Sequence, residues 1–410
     1  MISNYKKIGD YIQKVNQRNT DGLINLLLGV NLDKKFIPSV ANINGVDFTK
    51  YKVVKKGQFG CKLMSVGRDK KLPISRLTKH NEAIISSAYF VFEVKDEKIL
   101  LPEYLMMWFS REESDRYLWF QSGGDVRGRI TWEDLCSLPI KVPSLKKQQE
   151  IVKEYNTVVN RIKLNEQLNQ KLEETAQALY KYWFIDFEFP NEEGKPYKSS
   201  GGQMILNEEL NNEIPDEWRS EKFTEALKIG GGGTPKTEVE EYWDGNIPFF
   251  TPKDVTSGFY TNKTEKKLTE LGLKNCSSKL YPKNTIFITA RGTVGAIGLA
   301  TKNMAMNQSC YAFVEKNNHN FYGHQLSLNT IKKMKMEAVG AVFNALVTKD
   351  FQAKTVIKPT EIIIKNFNEK IRPIYENILI LTKQNQNLTD LKDLFLAKMT
   401  KIEIEEEIVS

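Results

Sequence analysis

Arginines and lysines set beside glycines, with one Asn-Gln pair, are the side chains of this 410-residue sequence best suited to chemistry. Lys62, Arg68, Lys70, Lys71 and Arg76 fall within one short span of the first half. Gly123-Gly124-Asp125-Val126-Arg127-Gly128-Arg129 follows, with Arg127 and Arg129 framed by glycines. In the second half Lys253 sits in Phe249-Phe250-Thr251-Pro252-Lys253-Asp254. Arg291 opens Arg291-Gly292-Thr293-Val294-Gly295, and Asn307-Gln308-Ser309 comes shortly after. Arg and Lys can contact guanine edges, and Asn and Gln can pair with adenine. Neighbouring glycines let backbone amides approach phosphate, as Gly292 and Thr293 could. Any one of these residues, taken alone, reads as a solvated loop position. Their recurrence in both halves favours a shared binding surface.

Other chemistries fail on spacing. Gly230-Gly231-Gly232-Gly233-Thr234-Pro235-Lys236-Thr237 has Pro235 where a phosphate loop needs glycine, which removes a donor, so nucleotide hydrolysis is rejected. A glycine turn that lets backbone approach another surface is expected instead. The three histidines, His80, His319 and His324, form no His-x-x-x-His pattern or Cys/His cluster. His319 and His324 flank a segment with surface-turn composition. No Gly-x-Ser-x-Gly elbow and no convincing catalytic carboxylate pair are present. Cys61, Cys136, Cys276 and Cys310 are widely scattered and read as reduced thiols of a cytoplasmic protein. No metal site is expected.

Two long helices must position these loops. Ile151, Tyr155, Val158, Ile162, Asn165, Asn169, Leu172, Ala176, Leu179 and Trp183 alternate four and three apart, the period of a coiled-coil seam. At 1.5 Å per residue this uninterrupted run extends roughly 50 Å. A second seam runs through Ile371, Ile374, Ile378, Leu381, Asn385, Leu388 and Phe395, with a register shift expected where Lys392 falls on the stripe. The two align without a gap, Tyr155 on Tyr375, Lys163 on Lys383, Asn165 on Asn385 and Leu168 on Leu388. A core Asn costs stability but fixes register and partner. Antiparallel pairing of the two helices, Asn opposite Asn, is favoured over each seam packing on its own head.

Before each helix lies a mixed region. Tyr51–Val54, Ala88–Val94, Thr285–Thr289 and Cys310–Val314 read as strands, Pro102–Trp119 as one helix, Ile130–Leu135 as a short helix entry and Leu138–Pro143 as a closing edge strand. The expected fold is α+β with a pseudo-two-fold repeat. It comprises a head over 1–143, a long helix over 144–190, a polar linker over 191–204, a second head over 205–360, and a helix with acidic tail over 361–410. Two heads on a paired-helix spacer suit the reading of two separated sites.

Composition sets bounds on this. No apolar run approaches the roughly 20 residues of a membrane span. A net charge of +8, from 59 Lys+Arg against 51 Asp+Glu, is compatible with nucleic acid without demanding it.

Over nearly its whole length the sequence resembles the specificity subunit of type I restriction–modification enzymes. The resemblance rests on Glu213-Ile214-Pro215-Asp216-Glu217-Trp218, Gly233-Thr234-Pro235, Ile247-Pro248-Phe249, Thr251-Pro252-Lys253-Asp254, Arg291-Gly292-Thr293-Val294-Gly295, Met306-Asn307-Gln308 and Gln177–Phe184, in that family's order around the duplicated helices. It implies two target-recognition domains, each reading half of a bipartite target in double-stranded DNA, and an antiparallel coiled-coil ruler between them. Partner contacts then fall on the seam, at Ile162, Asn165, Leu172, Leu179, Trp183, Ile378, Asn385 and Leu388. It further implies two methyltransferase subunits that methylate adenine with S-adenosylmethionine, and restriction subunits that use ATP and magnesium. The chain itself would bind no cofactor and catalyse nothing. Head one lacks the Gly-Thr-Pro and Arg-Gly-Thr segments, so the target should be asymmetric, and contacts assigned to that head rest on charge. Competing readings are a type IIG-like or free-standing specificity protein, an anti-restriction mimic, a methyltransferase, and a coiled-coil adaptor without a DNA role. A mimic should be strongly acidic, and a methyltransferase needs an Asn/Asp-Pro-Pro-Tyr/Phe motif that is absent.

Overall fold

Seams sustained over so many turns should form helices longer than one head can bury. The computed structural model describes residues 5–39, 45–123, 130–255, 258–337 and 345–409, and contains two such helices, Leu145–Phe184 and Glu361–Val409. Backbone proximity divides the chain into Met1–Arg161 with Leu388–Ser410, here unit one, and Ile162–Asn387, unit two. Each unit therefore takes one head and a share of both helices, whereas the sequence set the helices apart as segments of their own. The physical reason is a continuous apolar core. Ile151, Leu396 and Met399 are buried with the sheet of unit one, and Ala176, Trp183, Phe367, Ile371 and Ile378 with that of unit two.

In unit one, four antiparallel strands lie in the order Ile12–Val15, Phe90–Val94, Phe59–Cys61, Ile74–Arg76. Phe59 stacks on Phe92 across the two central strands, with ring centroids 4.8 Å apart. Lys52–Lys55 pairs with Glu82–Ile85, and Lys6–Lys7 pairs with Pro139–Ile140, the closing edge strand expected from the sequence. The expected helix over 102–119 is two helices, Pro102–Phe109 and Glu112–Gln121. Serine hydroxyls compete for the helical carbonyls there: Ser110 Oγ donates to Met106 O (2.8 Å) and Ser114 Oγ to Trp108 O (2.7 Å), while Arg111 turns extended. The short helix Trp132–Cys136 is held by a reciprocal cap. Asp134 N donates to Thr131 Oγ1 (3.1 Å), and Thr131 N to Asp134 Oδ2 (2.8 Å).

Unit two repeats the frame. Its main sheet runs Leu227–Gly231, Cys310–Glu315, Ile286–Thr289, Ile297–Ala300, Tyr260–Thr261, and its first four strands are antiparallel neighbours like those of unit one. Arg219–Lys222 with Thr355–Lys358 takes the place of the closing pair. A second sheet holds Lys266–Leu268, Trp243–Phe250 and Ala305–Met306.

The first long helix ends at Phe184, short of the Phe189-Pro190 stop expected from the sequence. Phe187 takes a positive φ of 62°, and Phe187 and Phe189 fold back to pack their rings on Trp218. The register shift expected near Lys392 is present: Leu396 and Met399 are buried, while Phe395 is only partly so.

Candidate nucleic-acid interface and head–helix joints

In unit two the segments that follow four strands are tied together at one edge. Gly233 N donates to Met306 O (3.0 Å), Asn307 N to Phe250 O (3.0 Å) and Ala290 N to Ser309 O (2.8 Å). The glycine run is what permits this approach. A Cβ on Gly232 would lie 2.1 Å from Asn307 O, and one on Gly233 would lie 2.1 Å from Ser277 Oγ. Backbone sits on backbone, and the Gly233 amide is committed to Met306 rather than free for phosphate. Gly292, at φ +76°, faces Pro252, where an added Cβ would meet Pro252 Cβ at 3.6 Å.

This edge brings together the residues singled out in the second half. Buried Asp254 accepts from Thr251 N, Thr251 Oγ1 and Glu265 N, all at 2.7 Å, which fixes the turn that presents Lys253. The Lys253 side chain is 81% exposed, with Glu265 3.9 Å away. Arg291 and Thr293 are exposed beside Gly292, and Arg291 has no ion-pair partner among the described residues. Asn307 Oδ1 accepts from Ser309 N (3.1 Å), and Gln308 Oε1 accepts from the Thr234 hydroxyl. One acceptor site on each side chain is thus occupied within the edge, and Gln308 is exposed there.

Unit one treats its expected contacts differently. Arg76 is mostly buried and pairs with Glu103 (2.7 Å), and Arg68 is exposed but pairs with Asp69 (2.7 Å). The Arg68–Asp69 hydrogen bond holds the Asp69 carboxyl below its usual range. Lys62 is half-buried just after the 59–61 strand. Arg127 and Arg129 lie outside the described residues.

The helical seam is polar at its centre. Asn165 Nδ2 donates to Asn385 Oδ1 (2.8 Å), Asn385 Nδ2 to Ile162 O (3.4 Å), and Asn169 Nδ2 to Thr382 Oγ1 (3.5 Å). With Trp183 against Phe367 (5.4 Å between rings), partner numbers fall on one helix as they rise on the other, so these segments of unit two pair antiparallel. Trp183 and Ile378 are buried there, while Ile162, Leu172 and Leu179 are half-buried. Leu388, in unit one, is also half-buried.

A second matched pair was not singled out from the sequence. Fully buried Gln148 accepts from Leu101 N (2.8 Å), the N-cap of helix Pro102–Phe109, and donates to Ile99 O and Pro143 O (both 2.8 Å). Buried Asn368, which stands to Gln148 as Asn385 does to Asn165, accepts from Phe321 N (3.1 Å) and Tyr322 N (3.3 Å) in the first turn of helix Asn320–Glu337. Each long helix thus caps a helix of its own head. The signal was available: both are amides at equivalent positions of the aligned helices. Gln148→Ala should cost about 2–3 kcal/mol, because it strands the Leu101 amide and the carbonyls of Ile99 and Pro143, and urea unfolding of the full chain would measure this. A change below about 0.5 kcal/mol would show that the joint does not depend on it.

His324 needs a correction. The sequence placed it in a surface turn, but it is fully buried inside helix Asn320–Glu337, with Nδ1 2.7 Å from Tyr375 Oη, which also accepts from Gln325 Nε2 (2.8 Å). Burial lowers its pKa to about 3. Among the described residues no group of three His, Cys, Asp or Glu is placed to hold a metal.

The model of the type I restriction modification DNA specificity domain matches residues 70–174 and 215–388. The chain belongs to this family. The first stretch covers the later part of the first head and most of the first long helix, and the second covers the second head and the start of the second long helix. The chain is 24% identical to the type I restriction enzyme HindI specificity subunit of Haemophilus influenzae, over 91% of this chain and 92% of that one. It is 26% identical to the MjaIX specificity subunit of Methanocaldococcus jannaschii, over 73% and 68%. The crystal structure of the type I restriction–modification S subunit from M. genitalium shares the fold with a TM-score of 0.56 at 14% identity, covering 96% of this chain and 95% of that one. The protein is thus a DNA sequence-specificity subunit of a type I restriction–modification system. Such subunits act with DNA and with other subunits of the system. No described helix is long and apolar enough to cross a membrane.

Proposed function

We propose that each unit reads one half of a bipartite, asymmetric target in double-stranded DNA, while the paired helices set the gap between the halves. The internal duplication carries this reading: one sheet order is built twice, with unlike residues on its loops. Like frames give two reading heads, and unlike loops give two different half-sites. Two methyltransferase subunits dock on the helices and methylate adenine with S-adenosylmethionine. Restriction subunits, where present, bring ATP- and magnesium-dependent translocation and cleavage. Leu164, Leu168 and Ile380 lie exposed on the helices of unit two, which supports a protein partner there. The chain binds no cofactor itself and works in the cytoplasm.

Methylome sequencing of cells that express the chain with and without its methyltransferase partner tests this directly. A new gapped, asymmetric adenine motif that requires both chains is expected; an ungapped or palindromic motif would refute the two-head reading. Within unit two, Lys253→Ala combined with Arg291→Ala removes two exposed charges from the convergent edge. For the assembled complex this should weaken binding by roughly 30-fold near 0.15 M salt and lower the log–log salt slope by about 2. Unchanged affinity and slope would remove these two residues from the interface.

A further inference from the structure

Two of the arginines that the sequence of head one advertises, Arg68 and Arg76, are ion-paired, whereas three cations outside that span are not. Lys14 lies on the 12–15 strand, Arg18 just beyond it, and Lys52 at the start of the 52–55 strand. An isolated bridge pairs Arg18 with Lys52, and Val53 N donates to Gln17 O (2.9 Å), so the two segments run side by side. Lys14 Nζ stands 4.7 Å and Lys52 Nζ 5.2 Å from the centre of the Phe90 ring. Phe90 is itself stacked on Trp132 at 5.9 Å. Lys52 Nζ donates to Tyr89 O (2.5 Å), and Arg18 Nη1 to Lys50 O (3.5 Å). Among the described residues no carboxylate forms an ion pair with any of the three cations. Partial burial, and then the charges of Lys14 and Arg18, pull the Lys52 ammonium below the usual lysine range. Like charges held together without a counter-charge raise the energy of the free protein, and a polyanion would relieve that cost.

The position of this cluster is informative. Val15 pairs with Val91 at the end of the edge strand, as Gly231 pairs with Tyr311 in unit two. Cys61 pairs with Phe90, as Thr289 pairs with Cys310. The same strand ends that carry the glycine run and lead to Asn307-Gln308 in unit two therefore carry Lys14, Arg18 and Phe90 in unit one. We propose that head one grips the phosphate backbone of duplex DNA through Lys14, Arg18 and Lys52 around Phe90, in place of Arg68 and Arg76, which are paired to Asp69 and Glu103. Lys14 and Arg18 are exposed and make the phosphate contacts, and Lys52 holds the Tyr89 loop while adding its charge. The assignment rests on the two-head reading above.

Binding of a random-sequence duplex by the full chain with its methyltransferase partner, titrated against salt, tests it. Lys14→Gln with Arg18→Gln is compared with Lys195→Gln with Lys198→Gln, which removes the same charge from the exposed linker. The head-one double should lower the log–log salt slope by about 2 and the affinity by roughly 30-fold near 0.15 M salt. The control should stay within about twofold of wild type. Equal losses in both doubles would show a net-charge effect and overturn the proposal. An unchanged head-one double, with Lys253→Ala and Arg291→Ala still weakening binding, would overturn this assignment while leaving head two as a DNA reader. If neither head's double weakens binding, the two-head reading falls with it.

Discussion

Four residues inserted after Leu164, with four more inserted opposite them after Asn385, are expected to lengthen the unmethylated gap of the target by one to two base pairs and leave both half-sites unchanged. Four residues are close to one helical turn, so the apolar seam returns to nearly the same face and the helices grow by ~6 Å. Duplex DNA rises about 3.4 Å per base pair, which sets the expected change. The insertion has to be made in both helices. An insertion in the first alone would move Asn165 off Asn385 and leave the buried Asn165 amide facing an apolar layer. Such a single insertion should therefore lower stability by about 1–3 kcal/mol. The methylation motif from cells carrying the matched insertion decides the matter. A motif with its original gap would mean that the helices do not measure the target.

Unit two should lose about 2 kcal/mol of stability between pH 7 and pH 5, through His324. Its imidazole is fully buried and neutral, with its pKa lowered to about 3 by burial, while in the unfolded chain it titrates near the model value of 6.5. Below 6.5 the unfolded state takes up a proton that the folded state refuses, so stability present above that value declines as pH falls towards 3. Glu173 works in the opposite direction. Burial raises its carboxyl pKa despite the hydrogen bond from Phe259 N (2.8 Å), so its protonation favours the folded state in acid and offsets part of the loss. The Tyr375 hydroxyl, raised by burial, does not titrate in this window. Urea unfolding at both pH values, on wild type and His324→Gln, separates these contributions. Gln retains a polar partner for Tyr375 but has no proton to gain, so the acid loss should shrink by about 2 kcal/mol. An equal loss in the variant would assign it to other groups.

Periodicity determined a large part of this protein before any contact was known. The 3.5-residue seams specify the long helices, because only one spacing keeps a stripe facing a partner. Two aligned Asn residues on those seams specify their mutual register, since each supplies the donor or acceptor the other needs. Pro139 within a short apolar run marks a closing strand, and the glycine run marks a close backbone approach, both local consequences of backbone chemistry. What the sequence could not express is which side chains remain available. Arg76 is committed to Glu103 and the Gln148 amide to Leu101, partners well separated along the chain. Lys14, Arg18 and Lys52 become one charge cluster only when the 12–15 and 52–55 strands are laid beside Phe90. Burial of His324 likewise arises from the packing of helix Asn320–Glu337 against Tyr375 and Phe259. Local periodicity selects elements because a side chain's direction follows the backbone. Charge pairing and burial depend on which elements meet, and only the tertiary structure decides that.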